Sequence, residues 1–322
     1  MNLPSLSVIV PNYNHAKHLP TCLMSVLNQS VKPSEILVLD DASTDESVSV
    51  IKRFAEQNSQ IRLIANESNL GVLANVNKGI DLAASDYVFS LAADDVVLPG
   101  FFEKSLNLLA SYPQAGLSCT IGDWREDATG LNWHVGVGMA TAPIYLSPET
   151  MVKLERKQRL FIASHTAIMK RGALIEAGKY RSELRAAADW FNCCVIGFKY
   201  GICFVPEPLG IQNIIANSYY QRCRRDKTGT RLMFASILDL LTQPQFEQAA
   251  ALMRSAGSLY LYGAPMLKFL LSRPQNRRFL TPILVRNGLW HSTKRLLKNI
   301  IPTPLGNLYF RFAGYRASVM QS

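Results

Sequence analysis

Short apolar runs alternate with helical patterns over the first hundred residues of the chain. Four runs have the length and composition of buried strands: "LSVIV" (6–10), "EILVLDD", "IRLIAN" and "DYVFSLAADD". Three stretches between them place apolar residues at helical spacing: "LPTCLMSVLNQ", "ASTDESVSVIKRFAEQ" and "NLGVLANVNKGIDLAAS". Strand–helix alternation of this kind predicts an α/β fold with a doubly wound, mainly parallel sheet.

Polar side chains gather where the predicted strands end. They are Asn12, Tyr13, Asn14, Asp40, Asp41, Asn66, Asp94 and Asp95. Ligands of parallel sheets bind at the carboxyl ends of the strands, so these positions are candidate ligand contacts. Asp94 and Asp95 are the most informative, because two adjacent carboxylates repel each other and resist burial unless a cation lies beside them.

The second half of the chain is less regular. The stretch 165–191 predicts a short strand, a helix, a glycine turn and a second helix that opens near Asp189. "GICFVPEPL" predicts a strand that leads into a proline-bounded turn, and after it the chain is mostly helical. We therefore expect one domain over 1–215, in two halves (1–100 and 101–215), and a helical region over 216–322.

Charge divides the chain unevenly. The net charge of +10 in 322 residues is concentrated after residue 210, where many Lys and Arg accompany only three acids, Asp226, Asp239 and Glu247. No apolar run reaches the roughly 18 residues that span a bilayer, and the N-terminus lacks a basic leader. The six cysteines show no metal-ligand spacing. These features predict a cytoplasmic protein with free thiols.

The basic C-terminal region permits two interpretations. An apolar stripe opposed by cations would make an interfacial helix on the inner, anionic face of a membrane. Alternatively, the region is a helical appendage that packs on the domain and exposes a basic face. No nucleic-acid-binding signature is present, so we expect no nucleic acid partner. The stripe consists of Trp290, Leu296, Leu297, Ile300 and Ile301, and the cations are Lys294, Arg295 and Lys298.

Four motifs within 5–100 resemble the family 2 glycosyltransferases of the GT-A fold. They are "VIVPNYNHAKHLPTCLMSVLNQS", "EILVLDDASTDES", "NLGVLANVNKGI" and "LAADDVVLPG", in the family's order and spacing. The resemblance implies a GT-A fold, a nucleotide-sugar donor and a divalent metal, Mn²⁺ or Mg²⁺. It also implies that 1–100 is the nucleotide-binding half of the domain and 101–215 the acceptor half. A divalent metal neutralises the negative charge that develops on a leaving diphosphate.

The resemblance also assigns roles to the donor-site residues. Asp94 is the implied metal ligand, and Asp95 supports it or contacts the donor, whereas Ala92 replaces the first carboxylate of the family's D-x-D motif. Tyr13 is expected to stack on the base, with Pro11 and Asn14 beside it. Asp40 is expected to accept a base N–H, which suits the imide of UDP or dTDP. The alternatives are that the two aspartates cap a turn, that Tyr13 packs in the core, and that Asp41 organises the "DASTDES" turn.

Asp189 occupies the place of the family's catalytic base. Its apolar neighbours should raise its pKa, which favours general base catalysis, although an N-cap for the following helix is the other interpretation. We therefore expect inverting, metal-assisted, single transfer of a sugar to a glycan or lipid-linked acceptor. The alternative is a non-catalytic protein that binds nucleotide sugars or glycans, suggested by the missing carboxylate at Ala92.

Overall fold

The computed structural model describes residues 3–126, 130–215 and 219–300. The strands in this part are β1 (Leu6–Asn12), β2 (Glu35–Asp40), β3 (Ile61–Ala65), β4 (Tyr87–Ser90), β5 (Val96–Val97), β6 (Leu117–Glu126), β7 (Leu131–Val135), β8 (Ile144–Leu146), β9 (Ile168–Lys170) and β10 (Ile202–Ile214). The helices are α1 (Leu19–Leu27), α2 (Ser47–Gln57), α3 (Val72–Leu82), α4 (Phe101–Ser111), α5 (Pro148–Arg156), α6 (Arg171–Glu176), α7 (Ala188–Tyr200), α8 (Tyr219–Arg225), α9 (Lys227–Leu240), α10 (Glu247–Ala256), α11 (Gly263–Leu271) and α12 (Pro282–Ile300).

One sheet organises the domain, in the order β3-β2-β1-β4-β9-β6-β10-β5. Strands β1 to β4 pair in parallel, as do β6 and β10. Strand β9 joins the two parallel groups by antiparallel pairing with β4 and β6. The prediction of a doubly wound, mainly parallel sheet is confirmed, whereas the antiparallel strands β5, β7 and β8 were not predicted.

Alternate residues of the central strands supply two apolar cores. Val8 and Val10 of β1 pack with Leu23 of α1 on one face of the sheet. Ile9, between them, packs with Ile80 of α3 on the other face. A strand covered on both faces needs apolar residues at every position, which explains why these strands appear as continuous apolar runs.

Strand β10 is longer than the sequence predicts. Instead of ending in a turn at Pro206 and Pro208, it continues to Ile214 and changes register on either side of Pro208. Proline lacks an N–H for the ladder, so its place in a strand is at such irregularities. The prolines therefore mark a bulge, and the strand beyond it carries Asn213 to the candidate site.

The helices after residue 218 share a core with residues 101–215. Phe246 packs against Phe191 of α7, with ring centroids 5.3 Å apart, and Tyr262 packs against Trp190 at 5.4 Å. The helical character predicted for this region holds over 219–300, and the division at residue 215 stays a prediction. No helix in the described ranges is long and apolar enough to cross a bilayer. Of the predicted apolar stripe and its cations, only Trp290 has a described side chain.

Glu155 is a buried acid at the junction between α5, α7 and the C-terminal helices. Its side chain is 3% exposed, beside Ser258 and near Cys194, and burial raises its pKa to about 8. Among the ion pairs of the described residues, none includes Glu155. The neutral acid therefore predominates at neutral pH in the folded protein.

We predict that Glu155→Gln makes stability less dependent on pH. Because the folded-state pKa lies above the ordinary value, wild-type stability falls as pH rises from about 5 through about 8. The neutral glutamine avoids this loss, so its melting temperature should exceed that of wild type by several degrees at pH 8.5 and converge with it near pH 5. Glu56→Gln, at an exposed position of α2, is the control. Parallel pH curves for wild type and Glu155→Gln would contradict the prediction.

Candidate active site

Asp40 lies at the end of β2, opposite Asn12 of β1. Its Oδ1 accepts a hydrogen bond from Asn12 Nδ2 (2.7 Å), and its Oδ2 accepts one from the backbone N–H of Ser43 (3.0 Å). The side chain is buried, at 1% exposure. Each oxygen has a second lone pair, so the carboxylate organises the following turn and retains acceptor capacity for a ligand.

Tyr13 and Asn14 differ in how they are held. Asn14 has a φ of 58°, and its Oδ1 accepts hydrogen bonds from the backbone N–H groups of Thr44 (2.8 Å) and Asp45 (3.3 Å). Tyr13 projects outward with 45% of its surface exposed, which rules out core packing as its role. Pro11 is half-buried within β1. The ring of Tyr13 is thus presented at the strand ends by a loop that Asn14 anchors.

The hydrogen bonds of Asp41 differ from those expected from the sequence. Asp41 does not organise the "DASTDES" turn, because its Oδ1 accepts from the backbone N–H of Leu70 (2.8 Å) and its Oδ2 from that of Gly71 (2.8 Å). Asn66 Nδ2 also donates to Oδ1 (3.0 Å). Strand β3 and the loop after it lie beside β2, so the side chain of Asp41 turns toward that loop, and Asp40 organises the turn instead.

Asp94 and Asp95 lie in the turn between β4 and β5. Asp95 is 4% exposed, and its Oδ1 accepts a hydrogen bond from the backbone N–H of Asn213 (2.9 Å). The side-chain amide of Asn213 donates to the Asp94 carbonyl oxygen. Burial, followed by the neighbouring charge of Asp94, raises the pKa of Asp95 well above its usual range. Asp94 is only partly buried, so its carboxylate is accessible to a ligand.

The pair fits a divalent cation that also binds phosphate. No ion pair in the described part of the chain includes Asp94 or Asp95, so their charges lack a protein cation. No cluster of three or more potential metal-binding side chains occurs among the described residues. Mg²⁺ is typically held by one or two carboxylates together with water and substrate phosphates, which matches this donor set.

Asp189 lies in the first turn of α7. The N-cap position is occupied by Ala187, so the N-cap interpretation of Asp189 is wrong. Its side chain is exposed to solvent, yet surrounding protein removes part of its hydration and raises its pKa to about 6. The carboxylate is therefore accessible to a ligand although its pKa is raised.

Tyr180 connects Asp189 with the nucleotide-binding half. Its backbone N–H donates to Asn77 Oδ1 (2.9 Å), and its carbonyl accepts from Asn77 Nδ2 (2.7 Å), which fixes it to α3. Its pKa is raised by burial and then by the charge of Asp189. Tyr180 also lines a small void with Ser90, the last residue of β4. The side chain of Tyr180 therefore lies between the end of β4 and Asp189.

Arg185 was not singled out from the sequence. It has a strained backbone (φ 51°, ψ −130°), and its Nη1 lies 2.9 Å from Asp226 Oδ2. Its guanidinium covers Gly229 so closely that an added Cβ there would lie 1.3 Å from Nη1. Tyr219 lies within the electrostatic range of both Arg185 and Asp189. The start of the C-terminal helices therefore holds the turn that precedes the base.

The sequence offers no local signal for these contacts. The partners of Arg185 follow it by about forty residues, and the charge pattern of "SELRAAADW" is that of an ordinary exposed segment. Asn213 was missed for a related reason, because the predicted turn at the prolines ended the strand before it.

The family model for glycosyl transferase family 2 matches residues 7–178, which is more than half of the chain. The chain belongs to this family. The match includes the loops of Tyr13, Asp40 and Asp94 and ends before Asp189.

Relatives by sequence carry the same kind of name. The chain is 32% identical over 148 residues to the uncharacterized glycosyltransferase YibD of Escherichia coli (strain K12), covering 44% of this chain and 42% of YibD. It is 35% identical over 196 residues to a PGL/p-HBAD biosynthesis glycosyltransferase of Mycobacterium bovis, covering 60% of this chain and 70% of that protein. The chain thus spans less than half the length of YibD.

Solved structures show the same fold at low identity. TarS of S. aureus, in complex with UDP-GlcNAc, aligns with a TM-score of 0.63 at 15% identity and covers 96% of this chain and 88% of its own. The mannosyltransferase PcManGT of Pyrobaculum calidifontis, in complex with GDP-Man and Mn²⁺, aligns at 0.55 and 18%, covering 93% and 88%. These matches confirm the GT-A fold that the motifs imply.

We predict that Gly229→Ala loosens the turn before Asp189. The new Cβ displaces the flexible end of the Arg185 side chain and weakens its ion pair, so the melting temperature should fall slightly. Gly172→Ala in α6 is the matched control, because no atom lies within 4 Å of a Cβ added there. It should leave stability unchanged or raise it slightly. Equal melting curves for both variants would show that the contact carries no stability.

Proposed function

We propose that this chain is an inverting glycosyltransferase that moves one sugar from a UDP- or dTDP-sugar to a hydroxyl of a glycan or lipid-linked acceptor. The observation that carries the proposal is the Asp94–Asp95 pair without a cationic partner, in a family 2 fold that also presents Asp189. Family membership supports glycosyl transfer with nucleotide-sugar donors. The identities of the sugar, the nucleobase and the acceptor go beyond what family membership supports and are part of the proposal.

The donor would bind along the carboxyl ends of β1, β2 and β4. Tyr13 offers an exposed aromatic face for a nucleobase, and Asp40 retains lone pairs for one base N–H. Pro11 and Asn14 shape the loop between them. Uracil and thymine carry a single imide N–H, which is why we favour them, although the named neighbours were solved with both UDP-GlcNAc and GDP-Man.

Asp94 is the proposed metal ligand, and Asp95 is its buried neighbour. Bound there, Mn²⁺ or Mg²⁺ would neutralise the negative charge that the departing diphosphate acquires. Asp95 fixes the turn through the backbone of Asn213, so Asp94 is presented from a rigid site. PcManGT was solved with Mn²⁺, which supports the same ion class here.

Asp189 is the proposed general base. With a pKa of about 6 it is mainly ionised at neutral pH, and it is basic enough to take the proton from an acceptor hydroxyl. The deprotonating hydroxyl attacks the anomeric carbon while the bond to the diphosphate breaks. A single displacement of this kind inverts the configuration at that carbon. The exposed position of Asp189 in the first turn of α7 leaves room for the acceptor.

A non-catalytic binding protein is the second candidate. Ala92 and Ala188 replace carboxylates that relatives often carry, which would suit a domain that binds nucleotide sugars without transferring them. An accessible carboxylate with a raised pKa has no evident purpose in such a protein, so Asp189 favours the enzyme.

For the lipid-linked class of acceptor, contact between the basic C-terminal region and an anionic membrane would be advantageous.

We expect one nucleotide diphosphate to raise the melting temperature in the presence of Mn²⁺. The comparison is UDP, dTDP, GDP and CMP, each with and without the metal, because ligands that bind only the folded state stabilise it. A saturating ligand should give a shift of several degrees, and Asp94→Ala should abolish its metal-dependent part. The same shift in Asp94→Ala as in wild type would reject the metal assignment. The absence of a shift with every nucleotide would reject the donor assignment.

We expect Asp189→Asn to lose transfer activity by at least about a hundredfold, the usual contribution of a general base, while the nucleotide-induced melting shift persists. Wild-type activity should decline as pH falls through about 6, because protonation removes the base. Asp239→Asn, an exposed change on α9, is the control and should retain both activity and pH profile. Full activity in Asp189→Asn would reject this role.

A further inference from the structure

Helices α11 and α12 expose large apolar side chains. Leu271 is 59% exposed, Leu289 54%, Trp290 47% and Val285 37%. These fractions are high for residues of this size on ordered helices, and three of the four lie within two turns of α12. A surface of this kind indicates a binding function when the residues form one patch.

The two helices that carry these four residues, which we call the apolar patch, pack against each other. Gly288 lies against Leu267, since a Cβ added at Gly288 would be 3.2 Å from its Cδ1, and the backbone N–H of Ala264 donates to Ser292 Oγ (2.8 Å). The helices are therefore antiparallel. Leu271 lies one turn beyond Leu267, and Val285 lies one turn before Gly288, so the exposed Leu271 and Val285 are at the same level of the pair.

The chain segment that carries this patch contains cations and no acids. After Glu247 the chain contains no Asp or Glu. Arg273 and Arg278, at the connection between the helices, lie over the rings of Phe269 and Phe279, with the guanidinium carbon 5.0 and 5.3 Å from the centroids. The eleven cations in this acid-free segment are Arg254, Lys268, Arg273, Arg277, Arg278, Arg286, Lys294, Arg295, Lys298, Arg311 and Arg316.

We propose that the exposed face of α11 and α12 is a docking surface for an anionic lipid bilayer. Leu271, Val285, Leu289 and Trp290 would enter the boundary between headgroups and acyl chains, while the surrounding arginines contact lipid phosphates. Long cationic side chains cover apolar surface with their stems and keep their charges at the headgroups, which suits this composition. A nucleic acid would use the charges but not four exposed apolar side chains, and an acidic protein is tested as the other occupant below.

The surface lies close to the proposed catalytic base. Tyr262 directly precedes α11, and its ring packs against Trp190, the residue after Asp189. A bilayer bound by α11 and α12 would therefore be held next to the helix that carries the base. This part rests on the proposed function, because it identifies the acceptor as lipid-linked. Membrane binding itself does not depend on catalysis and can be tested separately.

The test is co-sedimentation of the full chain with vesicles of phosphatidylcholine alone or mixed with phosphatidylglycerol. Wild type should bind the mixed vesicles, and binding should weaken with salt. Leu289→Glu and Leu271→Glu should each reduce the bound fraction at limiting lipid by about tenfold, since each places a carboxylate in the apolar contact. Leu82→Glu, an equally simple change at a 41% exposed leucine of α3, should bind as wild type does. Arg277→Gln should cause a smaller loss.

Failure of wild type to sediment with the mixed vesicles would overturn the proposal, as would equal binding by Leu289→Glu and wild type. Release of the protein from the mixed vesicles by added RNA or by an added acidic protein would also overturn it. Melting curves confirm that each variant is folded. The nucleotide-induced melting shift should be unchanged in Leu289→Glu, so a failure of membrane binding remains distinguishable from a failure of the donor assignment.

Discussion

The hydrogen bond from the Asn213 backbone to Asp95 joins the two parts of the sheet where the candidate site forms. Asp95 belongs to the turn that follows the parallel strands, and Asn213 belongs to the long strand that returns from the acceptor half. Burying a carboxylate beside a second one is unfavourable, and this hydrogen bond offsets part of that cost. The bond fixes Asp95 and leaves Asp94 accessible, which is the arrangement that a metal-diphosphate site requires.

The nucleotide-binding half could be predicted because its signals are local. Strands covered on both faces appear as short apolar runs, and the helices between them carry their own periodicity. The antiparallel strand β8 lacks such a signal because it is only three residues long and pairs with the distant β10. Strand β7 pairs with its sequence neighbour β6, but it is too exposed to form an apolar run. Strand β10 was predicted to end too early, because Pro206 and Pro208 indicate a turn by composition although they occupy a bulge.

The candidate site residues divide in the same way, into those with a local sequence signal and those that depend on distant contacts. Motifs single out Asp94 and Asp189 as candidates, whose roles stay predictions, and the apolar neighbours of Asp189 correctly predicted the direction of its pKa shift. The roles of Asp40 and Asp41 were partly exchanged, because the direction of a side chain at a strand end depends on the neighbouring loop. The strained Arg185 and its distant partner Asp226 depend on tertiary packing, which no window of sequence contains.

The close contact of Arg185 with Gly229 constrains how this protein can vary during evolution. Position 229 has no room for a side chain while an arginine covers it, and the arginine retains its partner only while residue 226 is acidic. A lineage that replaces Arg185 with a small residue frees position 229 and removes the reason for an acid at 226. Across homologues, positions 185, 226 and 229 should therefore covary as a set of three, and a protein that retains only one of them has changed the way its first C-terminal helices hold the turn before residue 189.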